Sequence, residues 1–226
     1  KLAKSGGMVV KNVAGFDMAK LMIGSFGTLA AMTVINFKVA PAPPETRTFV
    51  LRFDKAAQCL AARDAVLGSV LQPMAVDLLN HAAAARVGLG GFALAIHAGG
   101  NPAVLAWYAR ELPDAEALDG EAERGLWTVI REFTPGFVAA HPDAHVARIS
   151  ATLSGIPATL ETEAAVVARA ASGVAYLHFA DAGAARAWTA SASGASLRYA
   201  FEYGDPASHG VFDSGFAIMK SVKNLF

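Results

Sequence analysis

Two short glycine-bearing blocks hold the residues best placed to do chemistry: Lys11-Asn12-Val13-Ala14-Gly15-Phe16-Asp17 and Gly24-Ser25-Phe26-Gly27-Thr28-Leu29. Gly15, Gly24 and Gly27 lack a Cβ, so the chain there can take positive φ and another molecule can come close to the backbone. Amide N–H groups left exposed between such glycines can donate to the carbonyl and phosphate oxygens of a cofactor. Taken alone, the same glycines also suit simple tight turns. Three arginines, Arg52, Arg148 and Arg198, fall in strand-like segments and can clamp a carboxylate; a surface arginine or a structural ion pair is the plainer reading of each.

The order K-N-V-A-G-F-D followed by G-S-F-G-T-L resembles the end of the flavin-binding domain in FAD-linked oxidases, the vanillyl-alcohol-oxidase-like family. Within that family the Lys-Asn-Val-Ala-Gly spelling is most similar to the FAD-binding, E-type subunits of bacterial glycolate oxidases. The resemblance is close over about 40 residues and elsewhere rests on element order. It implies FAD as cofactor, with contacts from Asn12, Gly15, Gly24, Ser25, Gly27, Thr28 and Leu29. It also implies oxidation of a 2-hydroxy acid, with electrons leaving through a second flavoprotein subunit and an iron–sulfur subunit. Three positions depart from the family pattern. Phe16 stands where Tyr is usual, Ala30 where Gly often follows Thr-Leu, and Phe26 where the D-type subunit and D-lactate dehydrogenases carry Glu. The last departure favours the E-type branch. Two other readings stay open: another FAD-linked oxidase such as a D-lactate dehydrogenase, and a non-catalytic module that binds partners.

No catalytic base is assigned. His97-Ala98-Gly99-Gly100-Asn101 approaches the His-x-Gly-Asp-Gly-Asn metal motif of the D-type branch but lacks its Asp. Asn101-Pro102 reads better as a helix start, and His97 as strand-end packing. His141, His145, His178 and His209 show no ligand spacing, and the segment 141–145 reads as a solvated turn. No metal site is expected. Cys59 is the single cysteine, so no internal disulfide is possible and no cysteine-held cluster can form. It sits in an amphipathic helix, where a small buried apolar residue is expected. A reducing cytoplasm is the simplest compartment, with any membrane association coming through partner subunits.

Composition excludes some classes. The 226 residues carry 19 basic and 19 acidic side chains, a formal net charge of zero, which offers no global field for nucleic acid or an anionic membrane. Residues 1–40 are an exception, with Lys1, Lys4, Lys11, Lys20 and Lys38 against Asp17 alone. A phosphate-bearing cofactor suits that bias, as does a solvated face. Hydrophobic residues reach 54%. The uncharged run between Lys20 and Lys38 is broken by Gly24 and Gly27, whereas a spanning helix needs about 20 mostly apolar residues.

The elements that must position these residues follow from periodicity. Residues 7–11 read as a strand. Asp17 can cap a helix over 18–23, which Gly24 ends. Ile35, Phe37 and Val39 alternate with Val34, Asn36 and Lys38, as in a half-buried strand. Pro41-Ala42-Pro43-Pro44 is a stiff linker and the expected boundary. Beyond it, strands are expected at 48–53, 75–79, 92–97, 146–153, 174–179 and 197–202. Helices are expected at 54–68, 102–111, 121–133, 157–171 and 181–188, with a last helix from Ser214. The expected fold is α+β: residues 1–40 as the C-terminal end of an FAD-binding domain, a linker at 41–44, and a cap domain at 45–226 with a C-terminal helix. The cap is expected to be ferredoxin-like and duplicated, an antiparallel sheet with helices on one face.

The chain opens at Lys1 with no Gly-rich pyrophosphate loop before the motif. It stops at Phe226, where the family usually continues into an Asp-Pro…Asn-Pro-Gly tail. The expectation is a fragment of a larger flavoprotein, without FAD and inactive on its own.

Overall fold

A computed structural model describes residues 4, 18–25, 27–160, 162–192 and 197–204. The chain divides into two units between Ala42 and Pro43. The expected strand at 7–11, the Asp17 cap and the helix from Ser214 lie outside the described residues.

In the first unit, helix α1 (Met18–Met22) is followed by a turn and then by residues 30–42, which have no regular secondary structure. The strand expected at 33–39 is absent. Val34, Phe37 and Val39 are each more than 80% exposed. Alternation supplies a face, but a strand exists only when a neighbour pairs with its backbone.

The second unit is built on one sheet, and its strands are β1 (Glu45–Phe53), β2 (Ala75–Leu79), β3 (Phe92–Gly100), β4 (Glu116–Leu118), β5 (His145–Ser150), β6 (Ala165–Arg169), β7 (Val174–Phe179) and β8 (Arg198–Tyr203). Their order across the sheet is β4-β1-β3-β2-β6-β7-β5-β8, and every pairing is antiparallel. This is an α+β unit of helices and antiparallel sheet. The first four strands run β4-β1-β3-β2. The last four, read from the opposite edge, run β8-β5-β7-β6, the same order. The halves meet where β2 pairs with β6, with Asp77, Leu78 and Leu79 opposite Arg169, Ala168 and Val167.

Helices cover both faces of this sheet, not the single face expected. On one face α2 (Ala56–Gly68), α4 (Pro102–Glu111), α7 (Pro157–Leu160) and α8 (Ala182–Ala192) bring Cys59, Leu105, Leu160 and Trp188 against Leu94, Ile96 and Leu177. On the other, α3 (His81–Arg86), α5 (Gly120–Arg131) and α6 (Phe133–Ala140) bring Ala83, Ile130 and Phe137 against Ala93, Ala95 and Val167. Strand β3 shows why. Its large residues Leu94 and Ile96 fill the first face, while Ala93 and Ala95 leave room for helices to approach the second. A strand buried on both sides loses its polar alternation.

The same effect explains β6. The helix expected through 171 stops at Leu160, and Ala165–Arg169 is a strand whose first four residues are buried. Local signals held at other places. Asn101 Oδ1 accepts from Val104 N at 3.0 Å and starts α4, and Asp181 Oδ1 accepts from Ala184 N at 2.9 Å before α8. Helix α2, expected to start on Asp54, instead has Lys55 at its N-cap without a side-chain bond.

Candidate functional site

In the first unit the second glycine block forms a turn closed on itself. Ser25 N donates to Met22 O at 3.2 Å. Thr28 then donates twice to Ser25 O, from its amide at 2.9 Å and from its hydroxyl at 2.7 Å. Gly24 and Gly27 hold φ of 81° and 73°, conformations that favour glycine. A Cβ built on either would meet nothing within 4 Å, so open space lies beside both. Ser25 is buried, Leu29 half-buried, and Gly24, Gly27 and Thr28 exposed. Five of the expected cofactor residues thus share one turn. Asn12 and Gly15 lie outside the described residues. The space beside the glycines suits close approach of a cofactor to the backbone, but Thr28's two donors are already engaged.

In the second unit, polar side chains gather on the face that carries α3, α5 and α6, towards β5, β7 and β8. Arg148 lies opposite Tyr176 on one side and Ala200 on the other; Ser150 lies opposite Val174 and Arg198. Tyr176 in turn faces Val167, which fixes the side of the sheet. Arg148 Nε is 3.7 Å from Glu202 Oε1, with both side chains more than a third exposed. Two guanidiniums, a phenol and a hydroxyl therefore sit at neighbouring register positions on an open surface. Such a set can hold a carboxylate through charge-assisted hydrogen bonds. Arg52, also considered for this role, is instead on β1 and paired with Glu116.

Next to this surface, Arg169 is hydrogen-bonded to Asp77. Burial pushes the Asp77 carboxyl up to about 6, while the Arg169 charge and hydrogen bond pull the other way. The carboxyl is thus held closer to neutral pH than an ordinary aspartate.

Two further networks tie helices to the sheet. The buried Glu123 carboxylate of α5 accepts from Thr46 Oγ1 at 2.7 Å and Thr48 Oγ1 at 2.9 Å, and lies 3.3 Å from His97 Nε2. Trp127 Nε1 donates to Thr48 Oγ1 at 2.7 Å, and its ring lies against His97 with centroids 5.1 Å apart. His97 is thus fixed by a carboxylate and an indole. His178 is buried. Its Nδ1 lies 2.9 Å from Ala165 O and its Nε2 2.8 Å from Thr134 Oγ1. A carbonyl can only accept, so Nδ1 carries the proton and Nε2 accepts from the Thr134 hydroxyl. Burial lowers this imidazole to about 4, and the nearby Arg86 charge acts in the same direction.

The segment 141–145 is not wholly a solvated turn. His145 is 4% exposed, with Nδ1 3.0 Å from Asp143 O. Cys59 is buried, and burial pushes its thiol up to about 12. Among the described residues no three His, Cys, Asp or Glu side chains converge as metal ligands. Nor is any described helix long and apolar enough to cross a membrane.

Sequence reasoning passed over Asp77, Glu123 and Arg169. Signals for the first two were present. Asp77 is a charge within the apolar run Ala-Val-Asp-Leu-Leu, and buried charges are paired. Glu123 falls in line with Leu126 and Ile130, the buried stripe of α5.

No protein-family profile matches the chain. Curated proteins do. The chain is 51% identical over 43 residues to glycolate oxidase subunit GlcE of Escherichia coli (strain K12), which is 19% of this chain and 12% of that protein. It is 30% identical over 80 residues to a D-lactate dehydrogenase of Anaerostipes hadrus, 35% of this chain and 17% of that one. It is 25% identical over 79 residues to glycolate oxidase subunit GlcD of Bacillus subtilis (strain 168), again 35% and 17%. The relatives of this chain are FAD-linked oxidoreductases. The matches span less than a fifth of the length of each of these three proteins.

Proposed function

We propose that this chain is part of a flavoprotein subunit that oxidises a 2-hydroxy acid, glycolate first among them. The observation that carries the reading is the 51% identity over 43 residues to a glycolate oxidase subunit. In this reading residues 1–40 complete a flavin-binding domain, 41–44 link it onward, and 45–226 form a duplicated ferredoxin-like cap. The repeated strand order of the two halves supports the duplication.

The turn at Gly24–Leu29 would hold the cofactor through its backbone, together with Asn12 and Gly15. The glycines let the cofactor lie against the main chain. Bound flavin supplies the hydride-accepting chemistry that no side chain can. The cap's own residues would orient the substrate: Arg148 and Arg198 take the carboxylate, with Tyr176 and Ser150 adding hydrogen bonds. Electrons would leave through a second flavoprotein subunit and an iron–sulfur subunit, and no described helix could supply a membrane span. The GlcE and GlcD relatives support a multi-subunit assembly. The match to a D-lactate dehydrogenase favours a second reading, in which D-lactate is the substrate.

Steady-state dye reduction by the native protein carrying this chain tests both. Glycolate should be preferred to D-lactate. Arg148→Gln should raise KM at least tenfold, roughly the loss of one charge-assisted hydrogen bond, with a smaller change in kcat. An unchanged KM would remove the carboxylate role, and preference for D-lactate would select the second reading.

A further inference from the structure

The sheet face opposite Arg148 and Tyr176 carries a cleft of about 470 Å³. It lies where α2 and α4 both end, against the last residues of β1. Its floor is apolar: Leu51 and Phe53 of β1, Val66 of α2, and Leu71 and Leu112 from the turns that follow the two helices. Val66 and Leu71 are buried; Leu51, Phe53 and Leu112 are half-buried.

The polar groups at its mouth share one sign. Glu111 and Asp114 line it, and both are exposed. Glu111 Oε1 accepts from Trp107 Nε1 at 3.1 Å, which holds that carboxylate at the end of α4. The Asp114 carboxylate has no hydrogen bond or ion pair among the described residues. The helix ends act in the same direction, because the last carbonyls of a helix lack intrahelical partners and carry partial negative charge. Helix α2 has no basic residue in its last turn, and Arg110 in the last turn of α4 does not line the cleft. Arg52 does, but it stands between Leu51 and Phe53 on β1. Its side chain therefore leaves on the other face, where it is paired with Glu116. Ser69 is closed on itself: its hydroxyl donates to Val66 O at 2.7 Å and accepts from Leu71 N at 3.1 Å.

We infer that this cleft binds a small organic ammonium ion, with its apolar body against Leu51, Phe53 and Leu71 and its N–H groups donating to Glu111 and Asp114. Concave, mostly apolar sites of roughly 300–1,000 Å³ with a few placed polar groups are the usual form of a small-molecule pocket. Ammonium on carboxylate is a charge-assisted pairing, whereas a carboxylate or phosphate here meets like charge. None of these residues takes part in the proposed flavin turn or in the proposed substrate surface, so the cleft is a second site.

Nuclear magnetic resonance of the isotope-labelled whole chain tests this, with the Trp107 indole N–H as the reporter and Trp107→Phe to assign it. Circular dichroism checks that each variant is folded. Phenethylamine should shift the Trp107 signal saturably and leave those of Trp127 and Trp188 in place. Hydrocinnamate, the same body with a carboxylate, should not bind, and phenethyl alcohol should bind at least tenfold more weakly than the amine. The double variant Glu111→Gln, Asp114→Asn keeps the shape and the acceptor for Trp107, and should weaken amine binding at least tenfold. No saturable shift with the amine would overturn the inference. So would equal binding of the amine and the alcohol, binding of hydrocinnamate, a shift centred on Trp127 or Trp188, or a double variant that binds like the wild type.

Discussion

Asp77 on β2 and Arg169 on β6 face one another across the strand pairing that joins the two halves of the sheet. The Asp77 side chain is 3% exposed and that of Arg169 38%. The carboxyl thus bears most of the desolvation, which is why its pKa moves up from 3.8 to about 6 despite the arginine. Between those two values the unfolded chain releases a proton that the folded chain keeps. The contribution of this group to stability is therefore full below 3.8, falls as pH rises towards 6, and is flat above. Asp77→Asn should remove that slope. Urea unfolding at several pH values should show the wild type losing on the order of 2 kcal/mol relative to the variant between about pH 4 and 7, at roughly 1.4 kcal/mol per pKa unit. Parallel curves would contradict the assignment.

His178 gives the opposite slope. Its folded value of about 4 lies below the ordinary 6.5 because burial disfavours the imidazolium. Its contribution is full above 6.5 and is lost as pH falls through 4, since the unfolded chain takes up a proton first. In His178→Gln the acid arm of the stability profile should flatten by on the order of 2–3 kcal/mol. The two groups act in overlapping windows, so the Asp77 and His178 variants should be measured separately and together. Nuclear magnetic resonance of the His178 ring protons checks the titration directly; a midpoint near the ordinary 6.5 would show that the ring is not buried as described.

Asn80 should be among the most damaging polar residues to lose. Its Oδ1 accepts from Ala83 N at 3.1 Å, starting α3, and from Val166 N at 2.9 Å on β6. Its Nδ2 donates to Ala164 O at 2.8 Å. Asn80→Ala leaves these buried backbone groups without a partner, at a cost of about 2–4 kcal/mol. Chemical denaturation should show that loss as a shift in midpoint without a change in slope.

What the sequence made legible was local. Strands β2 and β7 and helix α4 have the expected bounds, because apolar periodicity and the Asn101-Pro102 start act within a few residues. Strand β6 and the second helical layer were not legible. The run Ala165–Ala168 is buried on both sides and has no polar alternation to tell a strand from a helix. Residues 33–39 show the reverse failure, a strand pattern whose backbone finds no neighbour among the described residues. The same division holds for the site. The glycine turn at Gly24–Leu29 could be read directly from residue types. The His97–Glu123 and Asp77–Arg169 pairs bring together residues far apart in sequence, and only the fold sets them side by side.

The chain alone should bind FAD weakly. The turn at Gly24–Leu29 already commits Thr28's donors to Ser25, and affinity depends on many preorganised groups acting together. Titration followed by flavin fluorescence should show little quenching at concentrations that saturate an intact flavoprotein. Stoichiometric binding with a micromolar or tighter constant would mean that the site is complete within these residues.

The central claim, that this chain serves an FAD-linked oxidation of a 2-hydroxy acid, is tested most directly by the visible absorbance of the native protein that carries it. Bound FAD is expected, with an oxidised band that bleaches when glycolate is added without oxygen. The bleaching should be smaller in a Gly24→Val, Gly27→Val double variant, because less flavin is held. A native protein purified without flavin, or one whose flavin stays oxidised with both glycolate and D-lactate, would contradict it.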